Sequence, residues 1–263
     1  MLSRRTVVLG LATVLAMPAW AQGQTLRIGV EGRYPPFNEL GPDGKLKGLD
    51  IDIARALCER LKADCRFVVR NWDSLQDSVI GKNNLLGTEY DAIISSVSIT
   101  PTRRQTAEFT QKYYQSPARF MKLKASKIEP TKAGLTGRRI GVQKGTTHDN
   151  FVSATFGRSA EIERFPTLPA AVEALLEGKI DVLMADTMAL YASVLKGKDG
   201  KKFELFGPSF TDAGFFGYGA GIPVKKGNLA LRDQLDRALA EIRADGTHEK
   251  ILKRYFDFDL YGQ

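Results

Sequence analysis

This chain has little of what most enzymes need. It holds two histidines, His148 and His248, and two cysteines, Cys58 and Cys65. No His-Glu-x-x-His helix and no cysteine cluster of metal-ligand spacing occurs, so no metal site is expected. A Gly-x-Ser-x-Gly nucleophile elbow is absent as well. The glycine-containing stretch from Gly141 to Asp149 has neither the spacing of a dinucleotide fingerprint nor that of a phosphate loop, which argues against a nucleotide. On these grounds no cofactor and no catalytic residue are expected. After the N-terminal stretch there is no apolar run long enough to span a bilayer, and there is no low-complexity segment. The formal charge is +8, but its lysines and arginines are scattered among acids with no dense basic run. That pattern reads as a solvated surface and not as a nucleic-acid footprint.

What is present begins with an export signal. Met1-Leu2-Ser3-Arg4-Arg5 is a short basic start, Thr6 to Met17 an apolar core, and Ala19-Trp20-Ala21 a small-x-small cleavage site. A cleaved leader over residues 1–21 is therefore expected, and its loss takes the charge from +8 to +6 by removing Arg4 and Arg5. The Ser3-Arg4-Arg5-Thr6-Val7-Val8 run also has features of a twin-arginine signal, and either route exports the chain. No cysteine lies beside the cleavage site, which excludes a lipid anchor there. In an oxidising compartment the close pair Cys58 and Cys65 reads as a structural disulfide, and its spacing rules out a Cys-x-x-Cys redox centre.

The exported part alternates strands and helices. Leu26–Val30, Cys65–Val69 and Ile93–Val97 read as strands, and Asp50–Leu61 reads as a helix with Ala54, Leu57, Cys58 and Leu61 on one face. Met188–Lys196, Leu229–Ala244 and Thr247–Tyr255 read as further helices, and Gly207–Gly217 as an irregular crossing. An internal repeat organises this order. Arg27-Ile28-Gly29-Val30 recurs as Arg139-Ile140-Gly141-Val142, and Tyr90-Asp91-Ala92-Ile93-Ile94 is echoed by Ile180-Asp181-Val182-Leu183-Met184. The chain is read as two similar α/β lobes, each a mostly parallel sheet flanked by helices. Ligands collect beyond the carboxyl ends of such strands. Four segments are thereby nominated to line a cleft between facing lobes: Glu31–Tyr34, Ser95–Arg103, Gln143–His148 and Ala185–Thr187.

Their chemistry converges. In Ser95-Ser96-Val97-Ser98-Ile99-Thr100-Pro101-Thr102-Arg103 an apolar strand breaks into hydroxyls, an N-cap threonine, a first-turn proline and an arginine. This is either a carboxylate grip or simply a polar strand-to-helix turn. Glu31 and Tyr34 offer an acid and an aromatic face to a cation, and Trp72 offers a second aromatic. Gly145, Thr146 and Thr147 open a helix at which a small anion can be held. Asp186 is placed either to bind an ammonium or only to cap the helix that follows it. An arginine with hydroxyls, two acids and two aromatics together suit an α-amino acid whose side chain ends in a positive charge.

Over essentially its whole exported length the chain resembles the periplasmic solute-binding proteins of ABC importers, polar amino-acid type. It is especially similar to the lysine/arginine/ornithine- and histidine-binding proteins. The resemblance is carried in order by Glu31-Gly32-Arg33-Tyr34-Pro35-Pro36-Phe37, Gly48-Leu49-Asp50-Ile51-Asp52, the Cys58/Cys65 pair and Ser95 through Arg103. It continues with Gly141 to His148, Asp186, Asp245-Gly246-Thr247 and Tyr255-Phe256-Asp257-Phe258. It implies a two-lobed type II binding-protein fold: residues 22–114 with 215–263 as one lobe, 115–214 as the other, and hinge crossings near 113–118 and 207–216. It further implies that Arg103 clamps a ligand carboxylate with Ser98 and Thr147, that Thr146 belongs to the ligand-binding set, that Asp186 and Ser96 take the α-ammonium, that Tyr34 and Trp72 sandwich the stem, and that Glu31 with Ser95 meets the distal cation. The function implied is capture of arginine, lysine, ornithine or histidine by hinge closure and delivery by a monomer to a membrane permease complex. Glu31 and Trp72 depart from the Asp and Phe frequent in cationic members. Rival readings are a cyclohexadienyl dehydratase-like enzyme on the same scaffold, a binder of another polar amino acid or an opine, and a sensor input module.

Overall fold

The computed structural model describes residues 23–257, so the expected leader and Phe258 of the closing motif lie outside the described residues. Two five-stranded sheets carry the fold. The first runs Asp64–Val69, Thr25–Val30, Ala92–Ile93, Pro223–Lys225, Ala107–Phe109, and the second runs Glu161–Phe165, Arg139–Gln143, Val182–Asp186, Ala118–Leu123, Phe203–Phe210. In each sheet the first three strands pair in parallel and the fourth is antiparallel to both neighbours. Four strands of each therefore share one direction, as the alternating pattern implied. The reversed strand is in each case the first strand after the chain passes from one sheet to the other. The first sheet draws on sequence from both sides of the second.

The internal repeat has a physical counterpart in both sheets. Arg27 and Arg139 lie in the amino-terminal parts of the two equivalent strands and bind Asp91 and Asp181, which immediately precede the neighbouring ones. The Asp91 carboxylate accepts from the Arg27 backbone N–H at 2.9 Å and from its Nη2 at 2.6 Å, and the Asp181 carboxylate takes the corresponding Arg139 groups at 2.8 and 2.8 Å. Each pair ties off the amino ends of two parallel strands, so the carboxyl ends are left to carry the site. Behind the first sheet, the helix Leu49–Leu61 buries Ile53 and Leu57 against Leu235 and Leu239 of the helix Leu229–Ala244. Cys58 and Cys65 form the expected disulfide, joining that first helix to the strand Asp64–Val69.

Four expectations need correction. The strand expected over Ile93–Val97 pairs only at Ala92–Ile93. Beyond it the backbone turns at Ser96, which sits at φ 54°, and the Ser96 N–H donates to the Tyr113 hydroxyl at 3.1 Å instead of to a strand. The crossing expected over Gly207–Gly217 is in its first part the strand Phe203–Phe210, whose register shifts between Phe206 and Phe210, with a short helix Ala213–Phe216 following. Its position at the sheet edge is what lets it carry Pro208. The last helix ends at Lys253, and the segment expected as one helix over Met188–Lys196 changes from α at Thr187–Leu190 to π at Tyr191–Leu195.

One glycine of the Gly48-Leu49-Asp50 motif is demanded by space. Gly48 has φ 120°, and a β-carbon there would stand 2.3 Å from the Phe37 carbonyl oxygen and 2.8 Å from that of Pro36. Those carbonyls accept the first N–H groups of the helix, from Leu49 and Asp50. Gly48→Ala is expected to cost roughly 3 kcal/mol or more, from strain at positive φ plus overpacking against backbone that cannot give. A urea denaturation midpoint lowered accordingly, at unchanged slope, checks it.

Candidate functional site

The carboxyl ends of the two sheets face each other across a narrow cleft. Its wall brings together the residues given a ligand-contacting role from the sequence: Glu31, Tyr34, Trp72, Ser95, Ser96, Ser98 and Arg103 from the first lobe, with Thr146, Thr147 and Asp186 from the second. Gln143 and His148, the ends of the nominated segment Gln143–His148 that had no role of their own assigned, join them.

Arg103 lies one turn inside the helix Pro101–Thr106. Thr100 caps that helix by accepting the Arg103 N–H at 3.2 Å, and Pro101 occupies its first turn. The guanidinium is 4% exposed and gives Nη1 to the Ser98 carbonyl at 3.0 Å and Nη2 to Gln76 Oε1 at 2.7 Å. Its carbon lies 5.6 Å from the Trp72 ring centre. Every one of these partners is neutral, and no described carboxylate forms an ion pair with it. Burial alone pulls its pKa down to about 10, so it remains a cation at neutral pH.

At another part of the cleft stands the opposite charge in the same predicament. Glu31 is 5% exposed, and its backbone N–H donates to Ser95 Oγ at 3.1 Å. Its Oε1 accepts from Gln143 Nε2 of the other lobe at 2.6 Å. Burial raises its pKa to about 7, and the amide hydrogen bond and the more distant Arg33 only partly oppose that.

Asp186 ends the strand Val182–Asp186 and precedes a helical turn, yet its side chain makes no capping bond. The sequence left capping and ligand contact open for it, and the carboxylate in fact points across the cleft. It accepts the Tyr34 hydroxyl at 2.7 Å and lies 3.6 Å from His148 Nε2, a nitrogen that is buried without a hydrogen-bond partner. Thr146 is the N-cap of the helix Thr147–Phe156, and its hydroxyl is fully used, accepting from the Asp149 N–H and donating to the Gln143 carbonyl. Thr146 therefore shapes the turn, whereas Thr147, buried at the first helical position, presents its hydroxyl with no described partner. Trp72 is 6% exposed with its indole N–H buried and unbonded, close to Gly145 of the facing lobe.

Ser96 is held from behind. Its hydroxyl donates to Asp50 at 2.9 Å, and the same fully buried carboxylate accepts from Tyr113 at 2.9 Å and from Asn38 at 2.7 Å. Asn38 in turn accepts the Gly32 N–H at 2.8 Å. Asp50 thus fixes the Glu31–Tyr34 turn, the Ser96 kink and the start of the first crossing together. Burial lifts its pKa to about 6 against those three hydrogen bonds. At the rim, Lys144 and Asp73 form an ion pair at 3.0 Å. With Tyr34–Asp186 and Glu31–Gln143 it bridges the two lobes, so the structure is in a closed arrangement.

The model of the bacterial extracellular solute-binding proteins, family 3, matches residues 26–258. The L-arginine-binding protein of Pseudomonas aeruginosa is 38% identical over 95% of this chain and 95% of its own. The histidine-binding periplasmic protein of Escherichia coli K12 is 38% identical over 98% of this chain and 99% of its own. Among solved structures, a periplasmic binding protein of Salmonella typhimurium described as having high arginine specificity superposes with a TM-score of 0.79. It is 27% identical, and the match covers 89% of this chain and all of that one.

Proposed function

This chain belongs to the bacterial extracellular solute-binding proteins of family 3, and from that premise we propose that it captures a cationic L-amino acid between its lobes and delivers it to an ABC importer. The observation that carries the reading is the pair of uncompensated buried charges, the Arg103 guanidinium and the Glu31 carboxyl, in one closed cleft. Burying an unpaired charge is costly, and pairing it removes the cost. An amino acid with a basic side chain brings a carboxylate for Arg103 and a distal cation for Glu31, and its α-ammonium has Asp186 and Ser96 to go to. Relatives named for binding arginine and histidine support the same class and are binding proteins, not enzymes.

The mechanism follows from the two charges. In an open arrangement water solvates both, and closure without ligand strips that water away. Ligand contacts to both lobes compensate the loss, so occupancy and closure are coupled. The hinges of this motion are the crossings near 113–118 and 207–216, which separate a lobe of residues 22–114 and 215–263 from a lobe of residues 115–214. The protein acts as a periplasmic monomer after removal of residues 1–21, and the closed form is what the permease recognises.

A second, shallow depression shares Ser96, Ser98, Thr147 and Asp186 with the first and extends toward the crossings. It adjoins the position of the α-nitrogen, so opines belong in the test. The experiment is a calorimetric panel of the common L-amino acids, ornithine and opines, followed by X-ray scattering. Micromolar or tighter binding of arginine, lysine, ornithine or histidine, with compaction on binding, is expected. Binding of glutamate or aspartate with none of the four cationic ligands overturns the reading, and tighter binding of an opine replaces it.

A further inference from the structure

We infer that Gln143 selects a guanidinium over an ammonium at the distal end of the cleft, an inference that rests on the cationic amino-acid reading above. The internal repeat singles this residue out. Arg27-Ile28-Gly29-Val30 is followed by Glu31, and Arg139-Ile140-Gly141-Val142 is followed by Gln143. The two lobes face each other, so these equivalent strand-end residues meet across the cleft, joined at 2.6 Å. Gln143 is 4% exposed, and its Nε2 is oriented by Glu31 Oε1 and, at 3.5 Å, by the Pro166 carbonyl.

That orientation decides what the pair offers a ligand. With Nε2 committed to Glu31, the Gln143 Oε1 takes no hydrogen bond from any described residue, and Glu31 Oε2 likewise has none. Two acceptors, one charged and one neutral, are thus held at a fixed separation by the bond between their own side chains. A guanidinium carries five N–H donors in one plane and satisfies separated acceptors without rotating, and it stacks on aromatic faces such as those of Tyr34 and Trp72 in the same wall. An ammonium concentrates its three donors on one atom, so when drawn onto Glu31 it offers the amide oxygen a poorer bond than the planar fork does once water is excluded. Buried polar groups left unpaired are the strongest source of discrimination between otherwise similar ligands.

The test is the ratio of affinities for L-arginine and L-lysine, measured by calorimetry on the whole exported protein. The wild type is expected to favour arginine by about tenfold or more, in line with one buried hydrogen bond to a charged group. Gln143→Leu, of similar volume, is expected to weaken arginine by about tenfold and lysine by less than about threefold, bringing the ratio toward one. Gln143→Met is the second variant, used if leucine lowers the thermal midpoint of the protein alone. A wild type that binds lysine as tightly as arginine, or a variant that weakens both ligands equally, overturns the role of Gln143 while leaving the cationic reading intact. A wild type that binds neither arginine, lysine, ornithine nor histidine overturns that reading, and this inference with it.

Discussion

Replacing Arg103 with methionine is expected to lower affinity for every amino acid by about 30-fold to several thousand-fold, while leaving the fold in place. Truncating one member of a buried, hydrogen-bonded charge pair costs about 2–5 kcal/mol, and each 1.4 kcal/mol is a factor of ten. The loss should be the same for arginine, lysine and histidine, because the ligand carboxylate is common to all of them. Stability should respond differently. In the protein alone Arg103 is a buried cation whose hydrogen-bond partners, the Ser98 carbonyl and Gln76, are neutral, so removing it relieves desolvation as well as breaking two hydrogen bonds. The thermal midpoint without ligand should therefore move by only a few degrees. Wild-type affinity for any amino acid in Arg103→Met would remove the carboxylate clamp from the mechanism.

Much of this site was legible because its signals are local. Thr100, Pro101 and Arg103 form a cap, a first turn and a charge within four consecutive positions, and turn chemistry is written in neighbouring residues. The repeat made the lobe plan legible in the same way, since Arg27 with Asp91 and Arg139 with Asp181 are the same device used twice. Periodicity misled at Ile93–Val97 for a definite reason. Ile94 and Val97 are as buried as any core strand residue, at 1% and 0% exposed, but they pack from an irregular segment; an apolar run reports burial, not strand pairing.

What stayed hidden depends on partners far away in sequence. Asp50 was read only as part of a motif in a helix start, although it organises the binding edge through Asn38, Ser96 and Tyr113, at separations of 12, 46 and 63 residues. Gln143 was nominated only as the first residue of a segment. Its meaning lies in Glu31, 112 residues away, and becomes readable only when the repeat is used to superpose one lobe on the other. Asp186 was ambiguous because an aspartate at a helix start is usually a cap, and only the Tyr34 hydroxyl opposite draws it off that duty.

Glu31→Gln is expected to have opposite effects on the protein and on its complex, and both should depend on pH. The Glu31 pKa is raised by burial from the ordinary 4.5 to about 7. For an acid shifted upward, the closed form holds its proton more tightly than the solvated form does. The penalty is absent below pH 4.5, grows as pH rises toward 7, and is constant above that, at about 3 kcal/mol if solvation were wholly lost. The isosteric amide carries no such penalty, so in proportion to how far the protein alone closes, Glu31→Gln should raise its thermal midpoint at pH 8 and leave it nearly unchanged at pH 4.5. Binding runs the other way. A cationic side chain requires ionised Glu31, so wild-type affinity for arginine should rise with pH up to about 7 and then level off, by as much as about a hundredfold between pH 5 and 8. In Glu31→Gln that rise should shrink to whatever Asp50 contributes, and affinity for arginine at pH 8 should fall by about a hundredfold, with far less change for a neutral amino acid. Calorimetric titrations of both proteins at pH 5 and 8, beside melting curves without ligand, give all four quantities. A Glu31→Gln protein that keeps the wild-type pH dependence for arginine would place the distal cation somewhere other than Glu31.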